Sequence, residues 1–340
     1  MRLMSLAVAA TSLAAPVFAA CTTDLDVADG VRLTGAEQLT KGAENPLDHC
    51  RLTGVMNERE GVDGMAYALR FELRLPNDWN GRFVHQFNGG NDGEVKPALG
   101  GTPAGTGSLS PLARGYAVVS SDAGHDGAAN KDKGLISGAI FGFDFEARQM
   151  YGYKAVALLD PLARQIVEGA YGTPIGHAYG VGCSNGGRHA MVAASRMPDA
   201  FDGLLIGAPG YNLPKAALQH ALDVQALTAP TGELATGLTR EDLTLVADGI
   251  RAACDGLDGL EDGYVADRAS CQAAFDITTL QCAEGQNTAC LSPDRVTALQ
   301  TIHAGTDVGG PPYYSDWSWD TAIASGGWRF WKLESPIPPW

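Results

Sequence analysis

The sequence predicts an α/β fold, a largely parallel β-sheet with helices, followed by a second and mostly helical unit. Three observations support this prediction. Strand-like and helix-like segments alternate up to about residue 210, a G-x-S-x-G pattern at residues 182–186 joins one such strand to a helix, and the alternation stops after about Tyr211. Alternating strands and helices form parallel sheets, which bind ligands at the carboxyl ends of their strands.

The first 20 residues have the composition of a signal peptide. Arg2 supplies the positive charge, residues 3–17 are apolar, and residues 17–20 (Val-Phe-Ala-Ala) offer a small-residue cleavage site. The apolar run is too short to span a membrane comfortably. We therefore predict a secreted or periplasmic protein that is free of the membrane after cleavage. A lipoprotein acylated at Cys21 is the alternative.

Charge and cysteine content limit the possible partners and the compartment. The formal net charge of −15 argues against binding to nucleic acid or to an anionic membrane surface. Export favours disulfides, and the spacing of the seven cysteines suggests three pairs. These pairs are Cys21–Cys50, Cys254–Cys271 and Cys282–Cys290. Cys183 is left over, either as a free thiol or with a partner outside this sequence.

Apolar patterns place the strands and helices of the first 210 residues. Residues 21–55 contain one cysteine loop and no strong pattern, whereas residues 66–75 alternate as a half-buried strand does. Further strands are predicted at 82–87, 116–120, 178–181 and 201–209. Helices are predicted at 151–170 and 190–196. We take residues 21–210 as the core domain.

The G-x-S-x-G pattern lies between the predicted strand 178–181 and the helix that follows. In that context the pattern forms a nucleophile elbow, a turn so tight that glycines must flank the serine, as in α/β-hydrolases. Ser184 would present its hydroxyl at the tip of the turn. The N–H of Asn185, at the helix N-terminus, would stabilise an oxyanion. An ordinary glycine-rich turn before a helix is the alternative.

A second glycine-rich loop, residues 88–93 (Asn-Gly-Gly-Asn-Asp-Gly), follows the strand predicted at 82–87. α/β-Hydrolases build the other half of their oxyanion hole from a loop after an early strand. Gly89 or Gly90 would let a backbone N–H approach the substrate oxygen there. A merely flexible turn is the alternative.

The chain changes character at about residue 211. Helical pieces at 213–227 and 240–254 alternate with loops and cysteines, and tryptophans accumulate near the end. We predict a lid domain over residues 211–340 that covers the catalytic edge of the sheet. The late tryptophans would either stack on a planar substrate or fill the core of this domain.

An acidic loop at residues 254–264 carries Asp255, Asp258 and Asp262 among three glycines. The glycines argue against a regular helix, and a tight loop would bring the three carboxylates together, with the backbone carbonyls of Leu260 and Tyr264 completing an oxygen shell. Hard oxygen ligands in an exported protein predict a structural Ca²⁺. The spacing excludes an EF-hand, and a solvated acidic turn is the alternative.

Four segments together carry a family resemblance: the elbow 182–188 (GCSNGGR), residues 201–209, residues 121–125 (SDAGH) and the acidic loop. They resemble the tannase and feruloyl esterase family of α/β-hydrolases, over nearly all of the mature chain. The resemblance implies hydrolysis of esters of aromatic carboxylic acids, such as gallate, ferulate or a terephthalate monoester. It also implies a large lid with calcium in the acidic loop, and the ligands would be Asp255, Asp258, Leu260, Asp262 and Tyr264.

The resemblance further implies a catalytic acid and a catalytic histidine downstream of Ser184, with a cysteine directly before the histidine that bridges to Cys183. The sequence contains neither that Cys-His pair nor a convincing acid. The downstream candidates are His189, His220, His303, Asp307, Asp316 and Asp320, and each is more typical of a structural role. We therefore expect that the triad acid and histidine and the late strands are missing, that the lid is incomplete, and that this chain is weakly active or inactive.

The main prediction is a serine ester hydrolase that acts on small aromatic acid esters through an acyl-enzyme at Ser184. A non-catalytic exported protein that holds aromatic ligands, or an inactive fragment without the acid and the histidine, is the alternative. A secreted structural calcium-binding module is a third possibility, but it would leave the elbow unexplained. The sequence does not indicate an oligomeric state.

Overall fold

The computed structural model describes residues 21–43, 45–101, 109–129, 138–305 and 313–334. The predicted signal peptide, Asp307 and Trp340 lie outside the described residues. The chain divides after Gly210 into two compact units. The first unit contains a seven-stranded mixed sheet, and the described part of the second consists of helices, short 3₁₀ turns and loops.

The sheet of the first unit combines an antiparallel part with a parallel part. Its strands are β1 (Val31–Leu39), β2 (His49–Glu60), β3 (Ala66–Pro76), β4 (Arg82–Phe87), β5 (Ala117–Ser121), β6 (His177–Cys183) and β7 (Gly203–Gly207). The order across the sheet is β1-β2-β3-β5-β4-β6-β7. From β1 to β5 neighbours are antiparallel, and from β5 to β7 they are parallel. Because β4 and β6 are parallel neighbours, the segments that follow them meet at one edge of the sheet.

The two N-terminal strands correct the sequence prediction, which found no pattern over residues 21–55. β1 contains no fully buried residue, and its register against β2 shifts between Leu33 and Gly35. The pairing of β2 with β3 shifts between Met56 and Arg59. An edge strand and a bulged strand lack the regular alternation of buried and exposed residues that sequence patterns detect.

The described part of the first unit contains three α-helices: α1 (Phe145–Gln149), α2 (Ala155–Tyr171) and α3 (Asn185–Arg196). Met150–Lys154 form a π-helical turn between α1 and α2. The helix predicted over 151–170 is therefore correct from residue 155 onward, and its first turn is π rather than α. Asp144 begins α1 by accepting the Ala147 N–H at 2.7 Å, as an N-cap residue does.

The main core of the first unit lies between α2 and the strands. The apolar face of α2 packs against side chains of β2, β3 and β5, among them Leu52, Phe71, Leu73 and Val119. A smaller cluster, which includes Phe87, Ala190 and Ala193, joins the end of β4 to α3. The packing of these two clusters fixes the end of β4 and the start of α3 relative to the sheet. This packing positions the candidate site.

The second unit is helical and has its own core. Its helices are α4 (Leu213–Thr228), α5 (Leu234–Gly237), α6 (Arg240–Cys254), α7 (Arg268–Ala274), α8 (Pro293–Ala304) and α9 (Gly326–Lys332). Buried apolar side chains of α6 and α8 form its centre, with Trp319 and Trp328 packed against them. Trp317 and Trp331 are 45% and 65% exposed, so two late tryptophans contribute to the core and two do not.

The disulfides match the pairs predicted from spacing. Cys21–Cys50, Cys254–Cys271 and Cys282–Cys290 are all bonded. Cys183 is exposed and has no disulfide partner among the described residues. No helix in the described part of the chain is long and apolar enough to cross a membrane.

Candidate active site

Ser184 lies at the turn between β6, which ends at Cys183, and α3, which begins at Asn185. Its backbone angles are φ 59° and ψ −120°, a conformation that L-residues rarely adopt and that costs roughly 1–3 kcal/mol. The Ser184 N–H donates to the Gly207 carbonyl at 3.0 Å, and the Ser184 carbonyl accepts the N–H of Gly210 at 3.0 Å. The residue is exposed. These bonds hold the strained turn and leave the hydroxyl accessible.

Three glycines around Ser184 are required by close backbone packing. A Cβ on Gly182 would lie 2.3 Å from the carbonyl carbon of Gly186. A Cβ on Gly186 would lie 2.3 Å from the carbonyl oxygen of Phe87, and one on Gly187 would lie 2.5 Å from that of Gly207. Separations this short do not occur between real Cβ atoms and other heavy atoms, so the turn admits no side chain at these positions.

Two of the predicted oxyanion donors, Gly89 and Asn185, lie next to Ser184. A Cβ on Gly89 would be 3.9 Å from the Ser184 Cβ, and Asn185 is the first residue of α3. No hydrogen bond within the described ranges uses the N–H of Gly89, Gly90 or Asn185. The backbone N–H groups of Gly89 and Asn185 are therefore close to the serine and make no hydrogen bond to another described residue.

A buried polar cluster behind Ser184 was not predicted. The carboxylate of Asp92 accepts a hydrogen bond from Asn185 Nδ2 at 2.7 Å, and its Oδ2 lies 2.9 Å from Nε2 of His189. The Asn185 Oδ1 accepts from Nε of Arg188 at 2.6 Å. Arg188 also donates to the carbonyls of Tyr151 and Gly152, in the π-helical turn. The amide side chain of Asn185 is thus engaged inward, which leaves only its backbone N–H for the site.

His189 belongs to this cluster and does not act on Ser184. Its side chain is 3% exposed, and burial is the main cause that lowers the pKa of its imidazole. Nε2 of this ring lies 2.9 Å from Asp92 Oδ2 and 3.1 Å from Nη2 of Arg188, and it donates to Asp92 in the tautomer that carries the proton on Nε2. No histidine or carboxylate of the described residues hydrogen-bonds to the Ser184 hydroxyl, so the triad acid and base stay unassigned.

His303 has a structural environment in the second unit. Its Nδ1 donates to the Trp317 carbonyl at 3.0 Å, and its ring stacks on Trp319 with centroids 3.6 Å apart. Burial, the largest cause, lowers the pKa of His303 to about 4. A neutral, packed imidazole of this kind is a core residue.

Acid should destabilise the second unit through His303. The folded state binds fewer protons than the unfolded state between pH 6.5 and about 4, so stability falls as the pH drops through this window, by about 3 kcal/mol at most. His303→Asn keeps a donor for the Trp317 carbonyl and has no titrating ring. Chemical denaturation at pH 7, 5.5 and 4.5 should therefore show a shallower pH dependence for the variant. Parallel curves for the two proteins would contradict the assignment.

The acidic loop shows a different arrangement from the predicted one. The Asp255 carboxylate accepts the Gly263 N–H, and the Asp258 carboxylate accepts the N–H groups of Leu260 and Ala266. Among the residues that the structure describes, no three acidic, histidine or cysteine side chains are placed to share a metal ion. In this arrangement the carboxylates cap backbone amides and do not converge. Calcium at this loop therefore stays a prediction.

The strand order, the strained serine after β6 and the glycine loop after the neighbouring β4 define an α/β-hydrolase fold. A sequence model described as tannase and feruloyl esterase matches residues 50–325. The chain therefore belongs to the tannase and feruloyl esterase family, as its motifs had suggested.

Two curated relatives illustrate the similarity. A mono(2-hydroxyethyl) terephthalate hydrolase from Piscinibacter sakaiensis is 37% identical over 325 residues, which cover 88% of this chain and 54% of that protein. A probable feruloyl esterase B from Emericella nidulans is 30% identical over 241 residues, which cover 70% and 42% of the two chains. This chain spans about half the length of the curated relatives it matches.

Solved structures show the same fold. A feruloyl esterase B from Aspergillus oryzae aligns with a TM-score of 0.69 and 22% identity, covering 92% of this chain and 63% of that one. A tannin acyl hydrolase from Aspergillus niger aligns with a TM-score of 0.60 and 22% identity, covering 87% and 55%. At this identity the likeness concerns the fold alone.

Proposed function

We propose that this protein contributes the nucleophile and the oxyanion hole of an ester hydrolase. The observation that carries the proposal is the exposed and strained Ser184, with the unused N–H groups of Asn185 and Gly89 beside it. A serine hydroxyl next to two fixed backbone donors suits acyl transfer, because the donors stabilise the negative charge that develops on the carbonyl oxygen. The family to which the chain belongs supports the same chemistry.

The reaction would pass through an acyl-enzyme. The Ser184 Oγ attacks the ester carbonyl carbon and gives its proton to a general base, and the tetrahedral oxyanion accepts hydrogen bonds from Asn185 N–H and from Gly89 or Gly90 N–H. The base then protonates the departing alcohol as the bond to it breaks. Water attacks the acyl-enzyme with the help of the same base, releases the carboxylic acid and restores the serine.

The substrates would be esters of aromatic carboxylic acids. The names of two relatives, a terephthalate monoester hydrolase and a feruloyl esterase, both refer to such acids. The predicted lid over residues 211–340 would select the acyl group. The three disulfides support an exported protein, since such bonds persist in oxidising compartments.

Hydrolysis of a matched ester panel tests the proposal. Methyl ferulate, methyl gallate and mono(2-hydroxyethyl) terephthalate should be cleaved faster than an aliphatic ester of the same alcohol, and a fluorophosphonate probe should label Ser184. Turnover that persists unchanged in Ser184→Ala would contradict the proposal. Binding of ferulate without turnover or labelling would favour the alternative of a non-catalytic protein. That alternative is consistent with the observation that no histidine or carboxylate of the described residues hydrogen-bonds to the Ser184 hydroxyl.

Calcium should stabilise the second unit if the acidic loop rearranges around it. Asp258→Asn would remove one proposed ligand, and Asp276→Asn is the matched control because that exposed aspartate also caps a backbone amide. At a Ca²⁺ concentration about 100 times Kd, the metal should stabilise the protein by about 3 kcal/mol. Thermal unfolding with Ca²⁺ or with a chelator should show this gain for the parent and the control, and not for Asp258→Asn. Equal melting temperatures with and without Ca²⁺ in the parent would exclude the site.

A further inference from the structure

The loop after β4 is fixed at one end to β5 and at the other end to Asp122, the residue that follows β5. Asn88 Nδ2 donates to Ser120 Oγ at 3.0 Å and to the Ser121 carbonyl at 2.7 Å. The Gly93 N–H donates to the Asp122 carbonyl at 3.0 Å. The turn between these anchors, Gly89–Asp92, carries the glycine side of the proposed oxyanion hole. None of these anchoring hydrogen bonds involves α3, so the position of residues 89–92 relative to α3 depends on other contacts.

Asp92 supplies the contact between this turn and α3. Its backbone φ is 56°, in the left-handed region that few residues other than glycine adopt, and its side chain is 2% exposed. The carboxylate reaches from the loop to two side chains of α3, Asn185 Nδ2 at 2.7 Å and His189 Nε2 at 2.9 Å. A buried carboxylate on a strained backbone is costly unless its hydrogen bonds are made, so these two bonds hold the turn in place.

The donors that face Asp92 are held rigidly. Arg188 Nε donates to the Asn185 amide oxygen at 2.6 Å, which turns the amide nitrogen toward Asp92. The guanidinium of Arg188 lies 4.5 Å from the centre of the Tyr151 ring and donates to two carbonyls of the π-helical turn. His189 is buried and neutral, and its ring lies edge-on to Tyr151 with centroids 6.0 Å apart.

We propose that Asp92 is a positioning residue that fixes the two halves of the oxyanion hole, the glycine loop after β4 and the first turn of α3, at the separation catalysis requires. Asp92 does not touch the substrate; it acts through Gly89 and Asn185. The role of Asp92 in catalysis depends on the proposed function; its role in holding the loop does not. The physical reason is that an oxyanion hole works only when both donors are placed before the charge develops.

The loop has room to move when this link is lost. Asp92 and Gly93 line a cavity of about 600 Å³ together with Arg70, Asp122 and Asp126. No atom lies within 4 Å of a Cβ built on Gly90. Without the carboxylate, residues 89–92 should therefore shift away from α3, while Asn88 and Gly93 keep their hydrogen bonds to residues 120–122.

Amide hydrogen exchange on the whole chain measures the link directly. In Asp92→Ala, exchange of the backbone N–H at position 92, which donates to the Gly89 carbonyl at 3.3 Å in the parent, should rise about tenfold or more, because local opening no longer breaks two buried hydrogen bonds. Asp92→Asn keeps an acceptor oxygen and tolerates the left-handed backbone, so it should restore most of the protection. His189→Leu should also loosen the loop, and His189→Gln, which retains a donor toward Asp92, should not.

Asp160→Ala is the matched control. Asp160 is a buried carboxylate on α2 that faces His85 Nδ1 at 3.1 Å and Arg164, so its loss also breaks a buried Asp–His pair. We expect this control to destabilise the protein without a selective rise in exchange of the N–H of Asp92. Unchanged loop exchange in Asp92→Ala, or an equal rise in Asp160→Ala, would overturn the link.

Kinetics separate the catalytic role from a structural one. For Ser184-dependent ester hydrolysis, Asp92→Ala should lower kcat by about 10- to 100-fold with KM nearly unchanged, since the donors act on the transition state. A loosened loop with unchanged kcat would overturn the positioning role. Absence of Ser184-dependent turnover in the parent protein would overturn the proposed function instead, and the exchange experiment would still decide whether Asp92 holds the loop.

Discussion

Replacing Ser184 by alanine should abolish the hydrolysis of aromatic esters. In a protein that supplies a general base, the expected loss in kcat is about 10⁴- to 10⁶-fold, because the acyl-enzyme no longer forms. The measurement is steady-state turnover of methyl ferulate together with circular dichroism to confirm the fold. Turnover of methyl ferulate that is unchanged in Ser184→Ala would contradict the assignment of Ser184 as the nucleophile.

Ser184→Gly provides an independent control on the elbow. The backbone at position 184 has φ 59° and ψ −120°, which glycine adopts without strain. Relief of strain should exceed the entropy that glycine adds to the unfolded chain, so Ser184→Gly should be about 1 kcal/mol more stable than Ser184→Ala and equally inactive. Chemical denaturation of the two variants measures the difference. If Ser184→Gly is the less stable of the two, the turn is not strained in solution.

Gly186→Ala should cost both stability and activity. The new methyl carbon would lie 2.3 Å from the Phe87 carbonyl oxygen and 3.0 Å from that of Asn88, both of which belong to backbone. Either the end of β4 or the first turn of α3 must move, which should destabilise the protein by about 3 kcal/mol or more. The same movement would separate the two sides of the proposed oxyanion hole and lower kcat. Urea unfolding and ester turnover measure the two effects.

Gly169→Ala is the matched control for this substitution. Gly169 is an exposed residue of α2, and no atom lies within 4 Å of a Cβ at this position. Alanine is the better helix former, so the variant should gain about 0.5–1 kcal/mol and keep its activity. Equal effects of the two Gly→Ala substitutions would show that the elbow does not depend on close backbone contact.

Local pattern was sufficient for the central part of the fold. β4 was predicted at its observed limits, and the strand, the turn at Ser184 and the helix after it follow one another as the motif requires. A short apolar run bounded by glycines predicts a strand and its following turn, because the geometry of both depends on residues that are close along the chain. The cysteine pairs were also predictable, because each paired cysteine is bonded to a neighbouring cysteine along the chain.

Asp92 shows where local pattern fails. Nothing near it in sequence distinguishes it from the other polar residues of a loop, and its partners Asn185 and His189 lie 93 and 97 positions away. From the sequence alone, His189 is expected only to have a structural role. A sequence feature that would have flagged the pair is the presence of one acidic residue in the glycine loop and one histidine in the elbow helix, which strand order then brings together.

The sequence by itself determined the class of protein, the serine, the glycines that its turn requires and the disulfide pairs, because each of these depends on residues that are close along the chain. Only the tertiary structure decided that β1 and β2 extend the sheet, that the aspartates of the acidic loop cap amides, and that Asp92 joins the β4 loop to α3. These features depend on which strands become neighbours and on which polar groups are buried together. Both are set by packing over the whole unit rather than by local propensity.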